Sequence, residues 1–201
     1  IAIAEEDPEL AAKTIHRALD GLPHSLAEYM PDGVYPEGST YWGYGTSFSV
    51  TTAAMLESAF GTDFGHLEYP GFKESAVFRV LCNAPSGWYY NFADCGDKRS
   101  KQGDITLAWF GTKTGNASFF EKERFLMPAE EMGKLSRLAG AALVWLAQYE
   151  KKGAEKVPTA WKGEGANPVV VFTGGVNDPH NYYFGGKGGR GMVNHGNMDG
   201  G

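Results

Sequence analysis

Two stretches of the 201-residue chain carry groups able to move protons. Asp32-Gly-Val-Tyr-Pro-Glu-Gly-Ser-Thr-Tyr-Trp-Gly-Tyr44 gathers Tyr35, Tyr41, Trp42 and Tyr44 among glycines, with Asp32 and Glu37 beside them. Far down the chain, Lys187-Gly-Gly-Arg-Gly-Met-Val-Asn-His-Gly-Asn-Met-Asp199 sets His195 in a glycine-rich turn with Arg190, Asn194, Asn197 and Asp199. A phenol and an imidazole from distant segments make a proton-transfer pair, since either gives or accepts a proton when its pKa is tuned. Glycine on both sides of His195 lets the backbone approach a ligand closely, and the imidazole there could neutralise an acidic group or relay a proton. His195, Asn197 and Asp199 fall on one side of a strand, but three residues from one strand rarely complete a metal site and Asn is a poor zinc ligand, so no metal is expected. His16, His24, His66 and His180 have no evident partners. Asn91-Phe-Ala-Asp94 is a candidate second loop at the same cleft.

The elements that must position these groups are mostly helical. Asp7-Pro8 starts a helix, with Asp7 as its cap and Pro8 at its first position; Leu10, Ile15, Leu19 and Leu22 line one side. Gly21 and Pro23 are expected to kink or divide it before Met30. The tyrosine-rich segment reads as a loop leading to a second helix from Phe48 to Phe60, with Met55, Leu56, Ala59 and Phe60 inward and Gly61 as its stop. Such a loop is costly to order unless it packs or binds something. Further helices are expected from Pro70-Gly71 through Leu81, from Gln102 to Phe110, and from Pro128 to Lys151. The last of these places Met132, Leu135, Leu138, Ala142, Trp145 and Tyr149 at steps of three or four. Then the pattern changes: Pro168-Val-Val-Val-Phe172 and Tyr182-Tyr-Phe184 read as strands joined by a hairpin over 174–180. Helices followed by strands predict a helical domain over 1–155, a linker over 156–167 and the start of a β domain over 168–201; the alternative is a single α+β domain.

Composition narrows the function. Net charge is -6 and no long basic run occurs, which excludes the counterion-displacing surface that nucleic acid requires. No apolar stretch reaches the roughly 20 residues that span a bilayer, the nearest being Leu138 to Ala147. Aromatics at 13% and 28 glycines suit a surface on which sugar rings stack, or an aromatic-rich core. Cys82 and Cys95 lack metal-ligand spacing and are either a disulfide or two buried thiols. The chain begins Ile-Ala-Ile-Ala and stops just after its most functional-looking run, so it reads as an internal piece of a longer protein.

Pro31-Asp-Gly-Val-Tyr-Pro-Glu-Gly-Ser-Thr-Tyr-Trp-Gly-Tyr-Gly45, then Gly61-Thr-Asp-Phe-Gly65, Asn91-Phe-Ala-Asp94 and Gly185-Gly-Lys-Gly-Gly-Arg190 leading to Asn194-His195 follow one another in an order that resembles the heparinase II/III-like polysaccharide lyases. The similarity runs over essentially the whole length. It implies a mainly α fold, the incomplete end of an α/α toroid, followed by the first strands of an antiparallel β-sandwich domain. It also implies β-elimination on an acidic, uronic-acid-containing polysaccharide, with Tyr41 as base and acid, Tyr44 as the alternative, and His195 assisting. Glu37, Trp42, Tyr44, Arg190 and Asn194 would contact substrate. Some relatives bind a structural zinc through a second histidine of the C-terminal motif; Asn197 stands there in this chain, which puts that zinc in doubt, and no cofactor is expected. Periplasmic or secreted location follows from the resemblance alone. Two other classes remain open: a protein of this fold that binds glycan without cleaving it, and a glycoside hydrolase, for which Asp32, Glu37 and Asp94 are the only candidate carboxylates. Because the family also uses an Asn or His from a helix that would precede Ile1, the 201 residues alone are expected to release no unsaturated uronate. Robust turnover by this piece in a near-ultraviolet absorbance assay would refute that.

Overall fold

The computed structural model describes residues 2–97, 105–119, 138–150, 153, 155–175, 178, 180–189 and 192. Within them five α-helices precede a three-stranded antiparallel sheet. Helix α1 (Pro8–Leu26) begins as its sequence predicts: the Asp7 carboxylate accepts the Leu10 N–H at 2.9 Å and Pro8 occupies the first turn. Gly21 and Pro23 do not divide the helix, which runs on to Leu26. Proline this near the end removes one hydrogen bond without forcing the chain out of helical geometry.

The largest departure from expectation is α2, which spans Gly38–Phe60 and so starts ten residues before Phe48. Gly38, at φ +81°, lets the chain turn into the helix. Its buried members Ser39, Trp42, Thr46, Val50, Ala53 and Leu56 then recur every three or four residues, a core stripe. Glycine, serine and threonine are weak helix formers, so it is burial of this stripe that holds the first half of α2 helical. Leu56 points inward as expected, whereas Met55 and Phe60 are exposed. Gly61 stops the helix in left-handed geometry, as its sequence position indicates.

Helix α3 is shorter than expected, Ser75–Leu81, because the chain from Pro70 is taken up by a turn at Gly71. Helix α4 (Ile105–Thr114) continues four residues past Phe110, and α5 (Ala139–Ala147) stops before Lys151. The expected starts at Gln102 and Pro128 lie outside the described residues, as do Met132 and Leu135. The Thr112 hydroxyl donates to the Trp145 carbonyl at 2.8 Å, tying α4 to α5.

The core is aromatic. Tyr29, Trp42, Phe72, Phe78, Trp109 and Phe110 are almost fully buried. Phe72 sits at its centre, 5.0 Å from Tyr29, 5.5 Å from Phe110 and 6.3 Å from Trp109, ring to ring. Each such ring contributes about 2 to 3 kcal/mol by leaving water.

Strands β2 (Val169–Thr173) and β3 (Tyr183–Lys187) form the expected hairpin, with Phe172 opposite Phe184. The sheet also has a strand that sequence did not predict, β1 (Ala160–Gly163), inside the segment read as a linker. The sheet packs directly on the helical part: Val169 and Val171 join the same hydrophobic cluster as Trp42 and Phe78, and the Tyr183 hydroxyl donates to the Leu81 carbonyl at 2.8 Å.

Gly71 is where close approach is tightest. Its φ is +83°, and a Cβ there would lie 1.9 Å from the Tyr29 carbonyl oxygen. Gly71→Ala is expected to cost about 3 kcal/mol or more in urea unfolding. At Gly61, also left-handed but with nothing within 4 Å, the same change should cost only about 1 to 2 kcal/mol. Equal losses at the two positions would show that the contact with Tyr29 is unimportant.

Candidate functional site

Four of the candidate residues, Glu37, Tyr41, Trp42 and Tyr44, lie at the start of α2. Glu37 occupies its cap position and is half-buried, as is Tyr41 one turn in. Tyr44, 56% exposed, lies on the outward face and meets Phe48 edge-on at 5.3 Å. Since helical neighbours diverge by about 100°, Trp42 points the other way. It is 0% exposed and packs on Phe110 at 5.8 Å, so the expected substrate contact at Trp42 is corrected: its ring belongs to the core. Arg190, Asn194 and His195 lie outside the described residues, as do Asn197 and Asp199.

The Asn91–Asp94 loop comes to this same turn. The Cys95 sulfur accepts the Thr40 N–H at 3.3 Å and lies 3.0 Å from the Thr40 hydroxyl, which in turn accepts the Gly96 N–H at 3.2 Å. Gly38 lies so near the loop that a Cβ would come within 2.8 Å of the Phe92 carbonyl oxygen. Ala93 is held at φ +52°, an uncommon conformation for a residue with a side chain, and it leaves Asn91 and Asp94 exposed. Strand β3 packs on the other side of the loop. Gly185 lies against the Tyr90 ring, and the Lys187 ammonium sits 5.7 Å from the centre of the Phe92 ring. The chain that leads to Arg190 and His195 therefore departs from beside the loop that holds the first turn of α2.

Arg79, which sequence reasoning passed over, underlies this turn. It is buried, donates to the Ser39 hydroxyl, to Asn83 at 3.4 Å and to the Tyr89 hydroxyl at 3.1 Å, and its guanidinium lies 4.9 Å from the Tyr89 ring and 5.9 Å from that of Trp42. A charge inside the apolar run Ala76-Val-Phe-Arg-Val-Leu81 was the signal available. Such a buried cation persists because hydroxyls, an amide and two ring faces replace its water.

Asp32 is engaged structurally. Both its carboxylate oxygens accept the Glu164 N–H, at 2.8 and 3.0 Å. Cys82 and Cys95 are two free buried thiols; burial pushes the Cys82 thiol far up, out of reach of thiolate chemistry. His16 pairs with Asp20 at 3.0 Å on the exposed face of α1, and His66 is buried. Among the described residues no His, Cys, Asp and Glu side chains cluster in a way that could hold a metal ion, and no helix is long and apolar enough to cross a membrane.

Compared with known proteins, the chain matches no protein-family model and no curated protein. What it can do is read from its own groups: a half-buried phenol in the first turn of a helix, an exposed aromatic pair beside it, and the Asn91–Asp94 loop held across the helix start.

Three tyrosines stay protonated well into alkali. Burial, then the Glu37 and Glu28 carboxylates, raise Tyr35 to about 12, and burial raises Tyr29 and Tyr183 further. Because the folded state holds these protons more tightly than the unfolded chain, their contribution is complete below the ordinary tyrosine value of 10.0 and is lost as pH rises through the folded values. Urea stability should therefore fall between pH 10 and about 12, and less steeply in Tyr35→Phe. An unchanged slope in that variant would remove Tyr35 from the account.

Proposed function

We propose that the chain serves β-elimination on a uronic-acid-containing polysaccharide, as the end of an α/α toroid and the first strands of a β-sandwich domain. The observation that carries this reading is the packing at the start of α2: the Asn91–Asp94 loop meets the turn that bears Tyr41, and the end of β3 packs on that loop. The motifs that resemble heparinase II/III-like lyases support it, since three of the four, Pro31–Gly45, Asn91–Asp94 and the one that starts at Gly185, fall on or begin in those segments.

In this reading Tyr41 takes the C5 proton of the uronate, the electron pair forms the C4–C5 double bond, and O4 departs with a proton returned by the same phenol. Glu37 and Tyr44 contact the sugar, together with Arg190 and Asn194, and His195 assists by neutralising charge. The C5 proton is weakly acidic, so stabilising the enolate-like intermediate is the largest demand on the site. Export to the periplasm or beyond accords with such a substrate. A hydrolase has less support: of its three candidate carboxylates Asp32 is engaged by the Glu164 N–H, which leaves Glu37 and Asp94 as the one remaining pair.

The test is the natural full-length protein incubated with heparan sulfate, hyaluronan, chondroitin and alginate while near-ultraviolet absorbance of new unsaturated uronate is followed. One of these is expected to give a rise, and Tyr41→Phe to lower its kcat by about a hundredfold or more. Binding of a polysaccharide without any rise would replace the lyase with a non-catalytic glycan-binding protein. New reducing ends without new absorbance would indicate hydrolysis.

A further inference from the structure

Asn167 is 1% exposed in the turn between β1 and β2 and reaches two distant segments from one amide. Its Nδ2 donates to the Pro36 carbonyl at 2.9 Å. Among the described residues its Oδ1 has no hydrogen-bond partner, and it faces Gly189, where an added Cβ would lie only 2.6 Å from that oxygen. Pro36 stands just before α2 and Tyr41; Gly189 stands immediately before Arg190.

The surroundings make this a junction, not an isolated bond. The same turn gives its Glu164 N–H to Asp32, and the Gly188 N–H donates to the Pro168 carbonyl at 2.8 Å. An open pocket of about 490 Å³ lies alongside, lined by Glu164, Gly165, Ala166, Pro168 and Gly189. A buried acceptor without a partner is a cost that a smaller apolar residue would avoid. A side chain without an N–H would leave the Pro36 carbonyl unpaired, and a bulkier one would push Gly189 away.

We infer that Asn167 is a positioning residue that fixes the segment bearing Tyr41 relative to the segment leading to Arg190 and His195. It touches no substrate. Its role in turnover rests on the lyase reading above; its role in coupling the two segments does not.

The experiment uses the natural full-length protein with Asn167→Ala and, approaching the same contact from the other side, Gly189→Ala. Hydrogen–deuterium exchange read by mass spectrometry is expected to rise in both 32–41 and 183–189 and to stay at the wild-type level in α4 and α5. On the substrate found active, kcat should fall about tenfold or more while KM changes little, as misplacement of reacting groups demands. Exchange confined to 163–168, or raised equally throughout, would overturn the coupling. Joint release of both segments with kcat unchanged would overturn the positioning of catalytic groups. Should the wild-type protein eliminate nothing, the lyase reading falls, and the exchange pattern still decides whether Asn167 joins the two segments.

Discussion

The loop from Met30 to Pro36 has to pass through a space too narrow for side chains on its neighbours, and the rest of the structure depends on that passage. Gly71 lies under the Tyr29 carbonyl and Gly33 lies on Ser75, each at a positive φ where a Cβ would collide with backbone. From the other side Gly163 and Gly165 close on Val34, which is fully buried. Glycines supplied by two distant parts of the chain thus grip one short loop. That grip sets the angle at which α2 starts and the place where the sheet docks on the helices.

Polar groups complete what close packing begins. Asp32 takes the Glu164 N–H, Asn167 takes up the Pro36 carbonyl, and Arg79 braces Ser39 in the first turn of α2. The last two satisfy a buried carbonyl and a buried hydroxyl that would otherwise lack this partner, which is costlier than any single bond is favourable. None of the three is needed for a hydrophobic core. Together they make the helix start a fixed platform.

Helix geometry then divides the tyrosine-rich motif between two tasks. Ser39, Trp42 and Thr46 face the core, while Tyr44 and Phe48 face outward with Tyr41 at the border. Adjacent residues in a motif therefore differ in setting, Trp42 holding the helix down on Phe110 and Tyr41 lying half-buried at the rim. The strained Ala93 turn serves the same end, since it carries the Asn91–Asp94 loop across the helix start with Cys95 bonded to Thr40.

Local chemistry made several elements legible in the sequence. The Asp7-Pro8 cap, the Gly61 stop and the β-branched Val169–Val171 run each act within a few residues, so each is found where composition puts it. The chemistry-bearing residues of the Asp32–Tyr44 and Asn91–Asp94 segments were visible for the same reason. The first half of α2 was hidden, because Gly, Ser and Thr argue against a helix that only burial of Trp42 and Val50 sustains. Strand β1, Ala-Trp-Lys-Gly, has little intrinsic tendency to extend and exists because β2 offers it a ladder. Arg79 and Asn167 carry no motif at all; their partners lie up to 131 positions away in the chain. Sequence by itself determined which groups could do chemistry and where short-range signals begin and end elements. Tertiary structure alone decided which of those groups meet, because glycine contacts and buried hydrogen bonds between distant segments are satisfied only once the whole chain has closed around them.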